Sequence, residues 1–502
     1  MPLQETILCA TASASTSAGS GSISLHDFKN GASLVSFKQT NSGRHCTSYI
    51  ESKNAQGGIL LAAQPDKSLL HVYNFQKDQI SMKIVLPEKL SCIVLDSQGI
   101  YFAGGTAQGR VHLWEVASGI LYNSWDAHYR QVNVLRFTQD SAALISGSDD
   151  SGVSVWSVSR LVDEDLQNDL PLSLFNLSDH TLPVTDIVCG VGAFPKCRIL
   201  TASVDHSVKI WDLSSRTLLT TFMFPQAISS LAWDITERLF FAASADGSVY
   251  QVNLFKQRED KTKSHISEAI GGGGVSDVIR VSDERLIVVG TLSEPSLSQP
   301  VTCLTFSMTS SSLLVGTSTG LIHIYDVPTH QLMRTISTHK GFGITYLSTM
   351  LKPVDLIGHI SLTLNISSSN DTRDVIPVRP VAAFQRMRDV KSRELHEVSM
   401  LLPPQEHAFE DEFTLCSEES ILRDQAYFLK SSTSSDEDTA ALQTRVTDLE
   451  AEVSLLHEQL GRAKGVNDLM WENVVQKMIS QSKSKSVTGS GEDERARKRS
   501  RS

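Results

Sequence analysis

Short apolar runs alternate with polar turns along the first 350 residues, and one pattern recurs. An apolar run is followed by a turn of small residues or Asp, and a second run then ends in an aromatic or apolar residue. The clearest copy, RILTASVDHSVKIWDLSSRTLLTTF, ends its second run at Trp211. Runs of this length and composition are typical of β-strands. The residues that end the second run, called anchors below, are His26, Tyr73, Trp114, Trp156, Trp211, Val252 and Tyr325.

The spacing of the anchors predicts a ring of similar sheets. Successive anchors are separated by 47, 41, 42, 55, 41 and 73 residues, and values of 41–42 match the period of a four-stranded propeller blade. One such sheet cannot bury both its faces, whereas several packed around an axis can. The sequence therefore predicts an all-β fold, a seven-bladed β-propeller over residues 1–350, although the weak first copy leaves six or eight blades open. We expect each anchor on the third strand of its blade and the N-terminal ETILCATA strand to complete the ring.

Polar residues precede the anchor at fixed distances in the two best copies. In each copy an Asp lies six residues and a Ser eight residues before the Trp, with a His further upstream. The two sets are His128, Ser148, Asp150 and Trp156, and His180, Ser203, Asp205 and Trp211. They resemble the hydrogen-bonded Asp–His–Ser–Trp tetrad of WD-repeat blades, in which each buried polar group finds a partner. Because the set repeats at one spacing, it indicates a scaffold network and not a catalytic triad.

The two wide anchor separations predict surface insertions. One is the polar stretch DEDLQNDLP after Trp156, and the other is the longer segment 256–299. The repeat ends near Leu351, and residues 351–437 predict an irregular extended segment with an acidic linker, SSTSSDED. Pro403 and Pro404 argue against a helix there. This segment is expected to pack on the propeller or on a partner.

A heptad pattern follows the linker. Apolar residues spaced by 4, 3, 4, 3 and 4 positions predict a coiled-coil helix over residues 438–480. Since a lone helix of this length is marginal in water, we expect a second copy or a partner helix to cover the stripe; packing back onto the propeller stays open. The stripe consists of Leu442, Val446, Leu449, Val453, Leu456 and Leu460.

Residues 481–502 are predicted to be a disordered basic tail. Its cationic cluster is a candidate nuclear-localisation signal, with a weak RNA contact left open. The cluster consists of Arg495, Arg497, Lys498, Arg499 and Arg501.

Composition and charge narrow the function. The chain is 40% hydrophobic and 20% charged, which is ordinary for a soluble globular protein, and a net charge of −11 does not favour binding to nucleic acid. The N-terminus lacks the features of a secretory signal, and no apolar run is long enough for a membrane span. The seven cysteines include no C-x-x-C pair, so we expect buried thiols in a reducing compartment.

Motifs for catalysis are absent from the sequence. The GGGG at 271–274 is not followed by Lys and Ser or Thr, so it is not a P-loop, and no HExxH, GxSxG or kinase set occurs. We therefore expect no catalytic residue, no metal and no cofactor.

Several longer motifs are more specific than the repeat. RVHLWEVASGILYNSWDAHYRQV, DHTLPVTDIVC, DHSVKIWDLSS and SADGSVYQVNLF resemble the WD-repeat subunit of the rixosome, a nuclear complex of pre-ribosome maturation. The order of propeller, irregular segment and terminal coiled coil is also similar to that family. The resemblance spans nearly the whole chain and is faint before Leu60 and over 351–435.

The resemblance implies a non-catalytic scaffold in the nucleoplasm and nucleolus. Such a subunit supports maturation of the large ribosomal subunit precursor, including removal of internal transcribed spacer two. The implied partners are the helical-repeat scaffold subunit of the rixosome, the pre-ribosomal large-subunit particle, a midasin-type remodelling ATPase and a second copy of the chain. Some members are associated with replication licensing on chromatin, which is an alternative role.

Two other functions compete. A substrate receptor of a cullin-type ubiquitin ligase uses a Trp-Asp-x-Arg box, but here Trp211 and Asp212 are followed by Leu213 and Ser214. An enzyme that uses the central channel of the propeller needs clustered His and carboxylate residues, and the sequence offers no such set at matching blade positions.

Overall fold

The apolar runs of the repeat form antiparallel strands, and in a computed structural model of the chain these strands build seven blades within the described residues. The predicted seven-bladed β-propeller and C-terminal helix are therefore confirmed. The structure describes residues 4–13, 20–52, 57–163, 171–259, 265–270, 277–281, 286–289, 299–356, 378–384, 386–387 and 436–497.

Blade 1 closes the ring with strands from both ends of the propeller. Its innermost strand is Phe342–Leu351, and Glu5–Ser13, Ser22–Asp27 and Ser33–Lys38 follow outward. Glu5–Ser13 pairs along its whole length with the innermost strand. The N-terminal strand thus takes part in closure as expected, but in the second position, and the C-terminal end of the propeller supplies the first.

Blades 2 to 7 follow in chain order, each running outward from the axis. Blade 2 consists of Thr47–Ile50, Ile59–Ala63, Leu69–Asn74 and Met82–Val85. Blade 3 consists of Leu90–Leu95, Tyr101–Thr106, Arg110–Glu115 and Ile120–Asp126. Blade 4 consists of Val132–Phe137, Ala143–Ser148, Val153–Ser157 and Phe175–Leu177, with a short helix Val158–Val162 before its last strand.

Blade 5 consists of Val184–Cys189, Arg198–Ser203, Ser207–Asp212 and Thr217–Met223. Blade 6 consists of Ile228–Trp233, Leu239–Ser244, Ser248–Asn253 and Leu286–Val288. Blade 7 consists of Val301–Phe306, Ser312–Thr317, Ile322–Asp326 and Leu332–Ile336. Every anchor, from His26 to Tyr325, lies buried on the third strand of its blade.

The hydrophobic core lies between the blades. Among the described residues it divides into clusters that each combine side chains of two neighbouring blades. Trp156, for example, packs with Trp125 of blade 3 at a ring distance of 5.3 Å. Since each blade buries its faces only against its neighbours, the ring must close before the core is complete.

The segment predicted as the 256–299 insertion is partly built into the ring. Phe255–Glu259 and His265–Ala269 form a separate hairpin. Val278–Arg280, however, joins blade 5 as a fifth strand, parallel to Thr217–Met223, and Leu286–Val288 is the outermost strand of blade 6. The insertion therefore separates the third strand of blade 6 from its fourth. Most of the shorter DEDLQNDLP insertion lies outside the described residues.

The irregular segment after the propeller packs on blade 3 where it is described. Phe384 is buried and stacks on Trp114 at 5.5 Å, and Ala382 donates its backbone N–H to Val116. Arg386–Met387 extends blade 3 as a fifth, parallel strand. This is the first of the two alternatives that the sequence left open. Pro403, Pro404 and the acidic linker up to residue 435 lie outside the described residues.

The C-terminal helix runs from Asp436 to Arg497. It covers the predicted coiled coil and continues over residues 481–497; the disordered basic tail over 481–502 stays a prediction. Among the described helices, none has an apolar stretch that would span a bilayer.

Candidate functional site

The polar set of blade 4 forms a closed hydrogen-bond network. His128 Nε2 lies 2.8 Å from Ser146 Oγ, and Trp156 Nε1 donates to the same hydroxyl at 3.0 Å. His128 Nδ1 lies 3.1 Å from the Asp150 carboxylate. The hydroxyl between His and Trp thus belongs to Ser146 and not to Ser148, which instead donates to the Arg130 carbonyl.

Blade 5 repeats the arrangement with a threonine. His180 Nε2 lies 2.8 Å from Thr201 Oγ1, Trp211 Nε1 donates to that oxygen at 2.9 Å, and His180 Nδ1 lies 2.9 Å from Asp205. Ser203, the predicted member, donates to the Leu182 carbonyl and accepts from the Asp205 backbone N–H.

The pairing register of the strands determines that Ser146, and not Ser148, bridges His128 and Trp156. Alternate residues of a strand face the same side, so Ser146 and Ser148 both point towards the loop that carries His128. Only Ser146 lies opposite Ser154, two residues before Trp156, which brings its hydroxyl to the indole N–H. Both networks hold blades and loops in place, and their recurrence identifies them as scaffold.

The tetrads also hold the loops that lead from the preceding blade into their own blade. Asp150 accepts the backbone N–H of Tyr129 at 3.1 Å, and Asp205 accepts that of Thr181 at 3.2 Å. The side chain of Tyr129 itself is 98% exposed, and Leu182 is partly exposed beside the second loop. The buried networks therefore position exposed apolar side chains on one face of the ring, which is a feature of partner-binding surfaces.

Asp150 is expected to make the propeller sensitive to acid. Burial alone raises its pKa, but the hydrogen bond and charge of His128, with the N–H groups of Gly152 and Tyr129, lower the pKa to about 2 from a usual 3.8. An acid whose pKa is lower in the folded state stabilises the fold above its unfolded pKa, and this stabilisation is lost as pH falls through the folded pKa. The contribution of Asp150 is therefore expected to disappear between about pH 4 and pH 2.

The measurement is thermal unfolding of the wild type and Asp150→Asn from pH 6 to pH 2. The wild type is expected to be the more stable at pH 6, with the difference shrinking below about pH 4. Asp149→Asn, next in the chain, controls for a general change of charge. A difference that stays constant to pH 2 contradicts the prediction.

Charged side chains near the axis of the ring bind the backbone of other blades and one another. Arg44, which precedes the innermost strand of blade 2, donates to the Ser229 carbonyl of blade 6, so this bond joins blades that are not neighbours. Asp186 accepts the Leu231 backbone N–H at 2.9 Å and lies 3.5 Å from Arg136. These contacts tie the inner strands together.

A His and a carboxylate do meet at the axis, and this pair was not predictable from spacing because the two residues lie 141 positions apart. His45 Nε2 is 4.0 Å from Asp186 Oδ1. Burial lowers the pKa of His45 to about 3, although Asp186 raises it. The imidazole is therefore neutral at pH 7, and Asp186 is already occupied by Arg136 and the backbone.

The heptad stripe is exposed along the part of the helix whose side chains are described. Val446, Leu449, Val453 and Leu456 are each slightly more than half exposed, and Leu460 is 68% exposed. The side chain of Leu442 lies outside the described residues. A row of large apolar side chains at this exposure is a candidate binding surface.

Only part of the candidate nuclear-localisation cluster lies within the residues that the structure describes. Arg495 and Arg497 lie in the last turns of the helix, where side chains are not described, and Lys498, Arg499 and Arg501 lie outside the described residues. This assignment stays a prediction.

Comparison with known proteins agrees with this architecture. The family model described as WD domain, G-beta repeat matches residues 119–157, 172–212 and 216–252, each running from the last strand of one blade through the third strand of the next. Pre-rRNA-processing protein IPI3 of Mycosarcoma maydis is 31% identical over 575 residues, covering 95% of this chain and 97% of that protein. WD repeat-containing protein 18 of Homo sapiens is 31% identical, covering 66% of this chain and 70% of that protein. The chain therefore belongs to the family of WD-repeat pre-rRNA-processing proteins that includes IPI3 and WD repeat-containing protein 18.

Proposed function

We propose that this chain acts in pre-rRNA processing during ribosome biogenesis, as a non-catalytic scaffold subunit of a rixosome-type complex in the nucleoplasm and nucleolus. The observation that carries the proposal is its likeness to Pre-rRNA-processing protein IPI3 over 95% of the chain. That likeness includes the propeller and the C-terminal helix. The comparisons do not favour a ubiquitin-ligase receptor, because the relatives are named for pre-rRNA processing.

The arrangement of the polar groups supports a scaffold. The tetrads of blades 4 and 5 satisfy their own hydrogen bonds inside the ring, and Asp186 at the axis binds the backbone and Arg136. Residues engaged in this way hold the ring in shape, while the exposed loops remain for docking. We propose the helical-repeat subunit, the pre-ribosomal large-subunit particle and the midasin-type ATPase as partners; a role in replication licensing stays a prediction.

Depletion of the chain from its own cells is expected to leave pre-rRNA that retains internal transcribed spacer two. Northern blots against the spacer and the mature large-subunit rRNA measure the ratio of precursor to product, which is expected to rise several-fold. Re-expression of the full chain is the control and is expected to restore the ratio. Unchanged spacer processing after complete depletion contradicts the proposal.

The heptad favours pairing with a second copy. If Val446 and Val453 take position a, then Leu449 and Leu456 take position d, and β-branched residues at a with Leu at d favour parallel two-stranded coils. Asn467 falls on a later a position, where a single Asn specifies the dimeric state.

The flanking charges agree with the parallel arrangement. Arg445 takes position g and Glu450 takes the following position e, so the two have opposite charges where neighbouring chains of a parallel dimer meet. Each chain of such a dimer contributes one propeller. We therefore propose that the helix forms a parallel homodimer, which gives the complex paired copies of this subunit.

A further inference from the structure

Blade 1 carries a cysteine and two histidines at the positions of a tetrad. Cys9 lies opposite Ser24, two residues before the anchor His26, just as Ser146 lies opposite Ser154, two residues before Trp156. His339 precedes the innermost strand of blade 1 as His128 precedes that of blade 4. In blade 1, therefore, Cys replaces the bridging hydroxyl and His replaces the indole.

The three side chains meet at the closure of the ring. His339 Nε2 lies 3.3 Å from Cys9 Sγ and 2.8 Å from His26 Nε2. One ligand atom from each residue lies within 4.8 Å of the others. Cys9 and His26 are fully buried. They belong to the two N-terminal strands of blade 1, whereas His339 belongs to the other end of the propeller.

This replacement changes what the site can bind. An indole N–H only donates, so the Trp of the tetrads in blades 4 and 5 has no nitrogen lone pair with which to bind a metal. Here two Nε2 atoms face each other, and at most one carries the hydrogen that joins them. A thiolate with two neutral imidazole nitrogens is a zinc ligand set, and three protein ligands with an open fourth position form a recurrent zinc geometry.

The distances are close to those that zinc requires. With Zn–N near 2.0–2.1 Å and Zn–S near 2.3 Å, tetrahedral ligand atoms lie roughly 3.3–3.6 Å apart. The sulfur–nitrogen pairs take the upper end of this range, so the Cys9–His339 distance must lengthen by about a quarter of an ångström, and the His26–His339 distance by about half an ångström. His339 is the half-buried member, so its ring has the most room to turn.

We propose that Cys9, His26 and His339 bind Zn²⁺ and that the ion joins the N-terminal strands to the C-terminal strand of blade 1. A cavity of about 320 Å³ borders both histidines and gives the fourth coordination position access to water. The ion acts as a cross-link where ring closure otherwise depends on hydrogen bonds and packing. The proposal is independent of the role in pre-rRNA processing.

Binding of the ion releases one proton. Burial raises the pKa of the Cys9 thiol, and its proton leaves to solvent as the Zn–S bond forms.

The test uses the purified full chain and Cys9→Ser. Serine at position 9 restores the hydroxyl found in blade 4, so the variant is expected to fold, which circular dichroism checks. Cys92→Ser is the matched control, because Cys92 is equally buried but lies in another blade. After loading with ZnCl₂ and dialysis, mass spectrometry of the metal is expected to find about one zinc per chain in the wild type and Cys92→Ser, and less than about a tenth in Cys9→Ser.

Two further readouts separate a specific site from surface binding. Co²⁺ in place of Zn²⁺ is expected to give the near-ultraviolet thiolate charge-transfer band in the wild type and not in Cys9→Ser. EDTA is expected to lower the unfolding temperature of the wild type by a few degrees and to leave Cys9→Ser unchanged, because a ligand of the native state stabilises it. A folded wild type that retains no zinc, or a Cys9→Ser variant that retains as much, overturns the proposal.

Discussion

Replacing Trp211 with alanine is expected to lower the free energy of unfolding by about 4 kcal/mol. The ring is 3% exposed and packs with Ile199, Val184 and other side chains between blades 4 and 5. Its loss leaves a cavity between the blades and removes the donor to Thr201. Chemical denaturation of the full chain, followed by tryptophan fluorescence and circular dichroism, measures the change in the free energy of unfolding of the propeller.

A milder series keeps the prediction testable if the alanine variant does not fold. Trp211→Phe retains most of the packing and removes the N–H, at a cost of about 1–2 kcal/mol. Thr201→Val removes the acceptor. Because both changes break one hydrogen bond, their effects are expected to fall short of additivity by about 1 kcal/mol.

Ser203→Ala is the control for the assignment of the bridging hydroxyl. Ser203 bonds the Leu182 carbonyl and not the indole, so its effect is expected to add to that of Trp211→Phe. The assignment is contradicted if the effect of Thr201→Val adds to that of Trp211→Phe while the effect of Ser203→Ala does not. Ser203, as predicted from the sequence, would then be the bridging hydroxyl.

The anchors were predictable because one residue per blade fills the space between neighbouring sheets. Such a position is apolar or aromatic in every copy, so it recurs in the sequence near the blade period. Even Val252, which has the smallest side chain of the seven anchors, lies on the third strand of blade 6. The bridging hydroxyl was harder to predict, because Ser146 and Ser148 face the same side of the strand and only the pairing register distinguishes them.

Contacts made by ring closure were not predictable from spacing. Cys9 and His339 are 330 positions apart, so the cysteines were interpreted as isolated thiols. A signal did exist: His26 occupies the anchor position of its copy, and His339 in STHKG stands before an apolar strand as His180 does in SDHTLPV. Cys9 itself lies 17 positions before His26, whereas Ser146 lies 10 positions before Trp156, so only the strand pairing places Cys9 at the hydroxyl position.

The segment after the ring shows a second limit of the pattern. Phe384 and Arg386–Met387 join blade 3. A short strand that is added to the outer edge of a complete blade is not part of the repeat, so the periodic sequence pattern does not predict it. The same holds for Val278–Arg280 on blade 5. Edge strands are covered by such additions because an unpaired edge invites pairing with other chains.

Replacing Leu456 with aspartate is expected to convert the protein from a dimer to a monomer. In the proposed parallel coil Leu456 takes a central d position, where each chain would bury a charge against the other. We expect at least about a 100-fold loss of dimer affinity, or about 2.7 kcal/mol. Light scattering coupled to gel filtration, with sedimentation equilibrium over a range of concentrations, measures the mass of the full chain.

The neighbouring Leu455 gives a closely matched control. Leu455 and Leu456 are equally exposed in the single chain, at 55%, but Leu455 takes position c, outside the stripe. Leu455→Asp is therefore expected to remain dimeric, while Asn467→Val, which removes the polar a residue, is expected to stay associated and lose its preference for two chains. A monomeric wild type contradicts the proposed pairing of two helices. Equal loss of the dimer in both leucine variants contradicts the assignment of the heptad stripe as the interface, because the added negative charge alone would then explain the result.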